Sequence, residues 1–277
     1  MYKTLPITRV LLLALAGCWA GPAGAADDAG TGSPPVAGRL RELSTDRPDV
    51  TESPYTIDAG HSQVELDFAN LTQDRAEGER STAWEAAPCN LRLGVTDDLE
   101  VGLFLTPYRR VEEKDAAGAT RTRSGTGDLV LRGKWNFTGN NGGTAVGLIG
   151  DIKLPTATAG LGNGAVEGTV LLPVSWELGD GWGLAAMTGV DLRLRQSGHG
   201  REGAWINSFS FERELTPHLA GYLELAAESA AGAPTVTLDA GLMYKLDANT
   251  QLDGGVQRGL SRAADDLHVF AGLSHRL

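Results

Sequence analysis

Five histidines, His61, His199, His218, His268 and His275, are the side chains best suited to proton transfer or metal binding, and their spacing supports neither. None has a second histidine two or four residues further on, so no ligand pair forms on a strand or helix face. The sequence holds no G-x-S-x-G, H-E-x-x-H or G-x-x-x-x-G-K-[ST] run. Gly160-Leu161-Gly162-Asn163-Gly164 is rich in glycine, but no helical pattern follows it to aim backbone N–H groups at a phosphate. The residues therefore imply no enzyme, no cofactor and no metal site.

What the chain does have is charge set at alternate positions along apolar stretches. Val64, Leu66 and Phe68 fall on one face, and Gln63, Glu65 and Asp67 on the other. The same period recurs in Leu99/Val101/Leu103/Leu105, Val146/Leu148/Ile152/Leu154, Val170/Leu172/Val174/Trp176 and Val236/Leu238/Leu242/Tyr244/Leu246. Twelve such segments are expected, near 62–71, 82–95, 99–106, 127–137, 144–154, 168–178, 182–195, 204–213, 219–228, 235–246, 250–260 and 267–277. Most have the length of a tilted membrane-crossing strand, roughly 9–11 residues, rather than the 5–6 of an ordinary soluble strand.

The connections sort by length. Five are tight, three to six residues each: 96–98, 138–143, 179–181, 214–218 and 247–249. Between them come longer ones at 72–81, 107–126, 155–167, 196–203, 229–234 and 261–266. Short turns at one end and long loops at the other is the pattern of an antiparallel transmembrane β-barrel with periplasmic turns and extracellular loops. Its long 107–126 loop carries charges of both signs and is a candidate to fold inward as a constriction.

With the aliphatic face turned to lipid, the other face lines a lumen. The candidate lumen-lining residues are Glu65, Asp67, Arg92, Glu100, Asp128, Arg132, Lys134, Asp151, Lys153, Asp191, Arg193, Arg195, Glu224, Asp239 and Lys245. Glu85, Arg213 and Arg258 fall on the lipid parity near strand ends, and Pro88 marks a place where a bulge would reset the parity of Glu85. A lipid-facing Arg or Lys at the bilayer midplane costs roughly 2–4 kcal/mol and far less at the interface, so charges at the ends are tolerable. Inside the lumen, such mixed charges make either a wet pore wall or a salt-bridged closure. Trp135, Trp176, Trp182 and Tyr244 near tight turns, with Trp84 and Trp205 at the long-loop end, are expected to form the two interfacial girdles.

Composition agrees. A formal charge of −11 over 277 residues excludes a nucleic-acid binder, which would carry a basic stripe. Two cysteines exclude a disulfide framework, and 37 glycines without a triplet period exclude collagen. Lys3 and Arg9, the apolar run Val10–Ala16 and the small residues Ala23-Gly24-Ala25 read as a signal peptide over 1–25. Leu15-Ala16-Gly17-Cys18 also fits a lipobox, with lipidation at Cys18 as the lesser reading. Residues 26–60, with Pro34, Pro35, Pro48 and Pro54, read as an extended periplasmic segment, and 61–277 as the barrel.

The run Ser44-Thr45-Asp46-Arg47-Pro48-Asp49-Val50-Thr51-Glu52-Ser53-Pro54, followed by Ala59-Gly60-His61-Ser62-Gln63-Val64-Glu65, resembles the opening of a barrel family described as "putative MetA-pathway of phenol degradation". Leu91–Glu100, Gly125–Asp128, Lys153–Thr156, Gln251–Asp253 and Gly272–Arg276 resemble it further, so the likeness spans 44–277. The resemblance implies a barrel of the Gram-negative outer membrane, with lipid, the barrel-assembly machinery and a small-molecule solute as partners. Such barrels commonly end in an aromatic residue, whereas this chain ends in Leu277. Small solutes are expected to pass passively through a polar lumen, and an aromatic or hydrophobic character for them comes from the family's name alone. A structural or surface-interaction barrel with a closed lumen, and a soluble secreted β-barrel binding module, are the other readings.

Overall fold

The computed structural model describes residues 40–277 except 196 and 231. The signal-peptide and lipobox readings lie outside the described residues. The elements are β1 (Ser62–Ala76), β2 (Glu79–Ala86), β3 (Cys89–Thr96), β4 (Leu99–Leu105), β5 (Tyr108–Lys114), β6 (Thr120–Gly125), β7 (Leu129–Thr138), β8 (Thr144–Leu154), β9 (Glu167–Gly179), β10 (Trp182–Leu194), β11 (Arg201–Thr216), β12 (Leu219–Ser229), β13 (Thr235–Lys245), β14 (Thr250–Gly259) and β15 (Leu267–Arg276).

Every pairing is antiparallel, and β15 returns to β1 from Gln63↔Arg276 to Gln73↔Leu267, which closes the sheet. The ring of β1, β3, β4 and β7–β15 is thereby laddered on both edges, as a backbone surrounded by hydrocarbon requires, while β6 is laddered to β5 alone. The wall has twelve strands although fifteen segments are present, because three consecutive strands break at one level. β2 and β3 part at Ala87–Pro88, β4 and β5 at Thr106–Pro107, and β6 and β7 across 126–128. Neither proline has an N–H for the ladder, and Ala87 turns to a φ of 53°. The Asp67 N–H to Pro88 carbonyl bond (2.8 Å) and the Gly127 N–H to Thr106 carbonyl bond (3.0 Å) bridge the breaks.

Two of the expected long loops are strand. The 72–81 connection is the end of the β1–β2 hairpin, turning at Glu77 and Gly78, and most of 107–126 is the β5–β6 hairpin. The latter continues the wall, with Arg109 beside Glu85 (3.5 Å) and Arg123 beside Glu113 (3.1 Å), in place of the inward constriction its length suggested.

The alternation sets the faces as its period demands. Outward stand Leu131, Ile152, Val170, Leu172, Leu192, Phe209, Leu225 and Leu242, all exposed. Such a band suits a fluid hydrocarbon surround and would be costly in water. At the tight-turn end, Trp135 meets Phe137 (5.2 Å between centroids), and Trp182 meets Phe211 (4.7 Å) beneath the Arg213 guanidinium (4.5 Å). Tyr244 is exposed near the same end and Trp176 half-buried. At the far end Trp84 packs on Tyr108 (5.0 Å), and Trp205 is exposed.

Candidate functional site

Residues 40–61 form neither helix nor strand; their middle, 43–57, lies inside the barrel, and their ends lie at its mouth. The extended segment expected in the periplasm thus places its described part against the lumen wall. It enters at the tight-turn end, runs in to a tip at residues 48–51, and returns to join β1. Arg41 and Asp58 hold the two legs together at the mouth, Nε to Oδ1 at 2.5 Å, and Arg276 of β15 donates to the Arg41 carbonyl at 2.7 Å. The Ser44 and Ser53 hydroxyls join the legs again further in, at 2.9 Å.

The wall receives this segment by exchanging charge with it. Arg92 on β3 makes a bidentate pair with Glu100 on β4 (2.8 and 2.9 Å) and a third bond to Glu65 on β1 (2.7 Å). Its remaining donor directions meet the Ser44 and Tyr55 carbonyls of the segment. Lys134 on β7 pairs with Asp46 of the segment. Arg132 clasps Asp151 (2.8 and 2.7 Å) on one side and Glu52 of the segment (2.8 and 3.1 Å) on the other, and its plane lies 4.4 Å from the Phe104 ring. Reciprocally, Arg47 of the segment pairs with the wall acids Asp67 and Asp253 (2.6 Å for the latter). At the tip, Glu224 accepts from the Val50 and Thr51 N–H groups (2.7 and 2.6 Å).

A buried charge is stable only when paired and fully hydrogen-bonded, and here the partners come both from within the wall, as Glu65 and Glu100 do for Arg92, and from across the segment–wall boundary, as Asp46 does for Lys134 and Glu52 for Arg132. Asp46, which lies on the segment and not on a spanning strand, shows the balance. Burial by itself would raise its carboxyl, but Arg92, Lys134 and Arg132 outweigh burial and hold it below the usual carboxylate range.

Wall glycines make the room. A Cβ on Gly94 would stand 2.2 Å from the Asp58 carbonyl oxygen, and one on Gly272 would stand 2.3 Å from the Leu66 carbonyl oxygen and 2.4 Å from Arg47. Gly147 likewise lies against Pro54.

Of the fifteen sequence-derived lumen residues, Glu65, Asp67, Arg92, Glu100, Asp128, Arg132, Lys134, Asp191, Glu224 and Asp239 are buried in the interior. Asp151, Lys153, Arg193 and Lys245 are half-buried. Lys153 joins Glu167 (2.7 Å) and Asp128 (3.3 Å), and Lys245 meets Glu42 at the mouth. Arg195 departs from its assignment. It sits past the end of β10, is exposed, and donates to the Arg201 carbonyl at 3.0 Å. Glu85 also departs, because the break at Ala87–Pro88 resets its strand and buries it facing Arg109.

The sequence reading did not include Asp46, Arg47, Thr51 and Glu52. Their signal was a cluster of charges inside a proline-rich run, which by itself reads as solvated leader. Nor did it include the apolar side chains that point inward, among them Phe104, Val130, Ile149, Leu171, Met187 and Phe270, all buried. Above the segment's tip all of these but Ile149, which packs behind Leu171 and Met187, line a cavity of about 290 Å³, floored by Arg47, Pro48, Asp49 and Val50 and walled by both apolar and acidic side chains. The lumen is therefore neither a continuous polar conduit nor uniformly closed. Its tight-turn half is filled by salt-bridged chain, and its other half holds a cavity.

A closed twelve-stranded antiparallel wall with an apolar outer band and a charged interior defines a transmembrane β-barrel of the outer-membrane type. The family model described as "Putative MetA-pathway of phenol degradation" matches residues 45–277, and the chain belongs to that family. The match takes in the segment that fills the lumen as well as the wall. Among solved structures, an outer-membrane channel from Pseudomonas putida F1 is similar at 16% identity and a TM-score of 0.62, covering 83% of this chain and 99% of that one. The NanC porin is similar at 8% identity and a TM-score of 0.51, covering 78% of this chain and 100% of that one. These likenesses concern the fold. No curated protein matches the chain.

Proposed function

We propose that the chain is an outer-membrane channel for small solutes. Solutes reach the cavity from the long-loop side, and onward passage requires the N-terminal segment to shift. The observation that carries this reading is the roughly 290 Å³ cavity seated directly on the segment's tip. A wall with no function but its own closure has no use for a cavity lined by inward apolar side chains. That volume is at the lower end of ligand pockets, roughly 300–1,000 Å³, and suits a compact molecule with a hydrophobic body. The mechanism is passive: the solute leaves water for the cavity, and movement of a tethered, charge-paired segment sets the rate.

A barrel closed for structural reasons is favoured by the Arg92–Glu100–Glu65–Asp46–Lys134 network, which is dense enough to hold the segment permanently. Uptake separates the two. In a Gram-negative host with and without the chain, a labelled small aromatic solute at limiting concentration is expected to enter faster when the chain is present. Equal rates, with the barrel shown to be folded in the outer membrane, would select the closed structural barrel.

A further inference from the structure

The cavity has one carboxylate whose surroundings fit a ligand better than they fit the protein. Asp191 on β10 is 2% exposed and lines the cavity. Its Oδ1 accepts from Thr169 at 2.9 Å, while its Oδ2 has no hydrogen bond among the described residues. Arg193, two positions toward the long loops, stands 3.9 Å from that oxygen, but its own bonds go to Glu228 (2.6 Å) and Glu202 (3.4 Å). One guanidinium is thus shared among three carboxylates, and the local balance stays negative.

Directly below Asp191 the wall is apolar. Gly189 is one inward position deeper, paired with Leu171 on β9 and Ile206 on β11, and Met187 is one position deeper still. Leu171, Met187 and Ile149 pack as a buried cluster with Ile206 against it. Gly189 allows that packing, since a Cβ there would meet the Leu171 side chain at 2.5 Å. A hydrogen-bond acceptor with spare capacity therefore sits at the outer rim of an apolar surface.

We propose that this cavity takes small organic cations, an apolar body bearing a protonated amine, with the ammonium at Asp191 and the body over Leu171, Met187 and Ile206. The proposal rests on the channel reading above and names its substrate class. A charge-assisted N–H···O bond satisfies Oδ2, and the desolvated body covers the apolar floor. A carboxylate-bearing solute of the same shape meets repulsion from Asp191 and its acidic neighbours.

The test titrates the full-length folded barrel in detergent with three near-isosteric probes, 2-phenylethylamine, 2-phenylethanol and 3-phenylpropionate, by calorimetry. The amine is expected to bind roughly tenfold or more tighter than the alcohol, the worth of one charged hydrogen bond, and the acid more weakly than either. Asp191→Asn is expected to remove the amine's advantage and leave the alcohol's affinity in place, with the heat-dependent gel shift reporting that the variant is folded. The wild-type ranking stands by itself if that variant does not fold. Equal affinity for amine and alcohol, a preference for the acid, or an amine preference that survives in Asp191→Asn overturns the cation assignment, and alcohol binding in those cases leaves the channel reading intact. Absence of binding by all three probes, together with equal solute uptake with and without the chain, overturns both.

Discussion

Glu52 and Arg132 are joined by two hydrogen bonds, at 2.8 and 3.1 Å, although one lies on the segment inside the lumen and the other on the wall strand β7. Arg132 is shared with Asp151 of β8 and, at 3.4 Å, with Asp46, so the wall supplies one carboxylate and the segment two. The segment is thereby one half of an electrostatic arrangement that the wall by itself leaves incomplete.

From this it follows that Glu52→Gln should loosen the segment without dissolving the barrel. Breaking one side of a buried pair costs about 3–5 kcal/mol where the remaining charge stays buried. Here Asp151 remains on Arg132 and water can enter the lumen, so the loss should fall at or below the lower end. The checks are brief openings in planar-bilayer recordings, more frequent than the rare ones of the wild type, and an unchanged gel shift on heating.

Gly94→Val tests the fit by shape alone. The new Cβ would stand 2.2 Å from the Asp58 carbonyl oxygen, which is backbone and cannot swing aside as a side chain would. The returning leg of the segment must move, so conductance should rise while all wall charges remain. Gly150→Val is the control, since a Cβ there meets nothing within 4 Å. It should leave the recordings unchanged.

The two faces of the wall should answer charge differently. Leu225→Arg puts a cation on the outward face in the interior of β12 and should destabilise the barrel by roughly 2–4 kcal/mol, read as a lowered urea midpoint in vesicles. The same strand already buries Glu224 facing inward, where the segment's N–H groups receive it.

The wall was largely legible before the structure, because a period of two needs no tertiary information. Val170, Leu172 and Val174 had to share a face whatever the fold, and the sorting of turn lengths then implied closure into a barrel. The misplacements have local causes. Pro88 and Pro107 interrupt ladders, so Glu85 changed face and β5 and β6 became separate elements. Arg195 continued a parity one residue beyond the end of its strand. The 72–81 and 107–126 stretches are polar hairpins outside the lipid zone, where apolar alternation has nothing to select it.

The segment in the lumen was not legible as such. Asp46, Arg47 and Glu52 have no period, and proline removes the pattern by which strands are recognised. Their role is defined by complementarity to Lys134, Asp253 and Arg132, residues more than seventy positions away, which only the closed wall brings within reach. The inward apolar residues were hidden for a related reason. Leu171, between the outward Val170 and Leu172, makes an unbroken apolar run in which parity cannot say which members face a cavity.

If the N-terminal segment is the element that closes the lumen, removing it must open the barrel, and single-channel conductance of the full chain against one lacking residues 41–57 tests this most directly. The full chain should stay at baseline apart from rare openings. The shortened chain, folded by its gel shift, should show steady ohmic current, because Arg92 keeps Glu100 and Glu65 as partners and the vacated charges become hydrated. A shortened barrel as closed as the full chain, or a full chain as conductive as the shortened one, would contradict it.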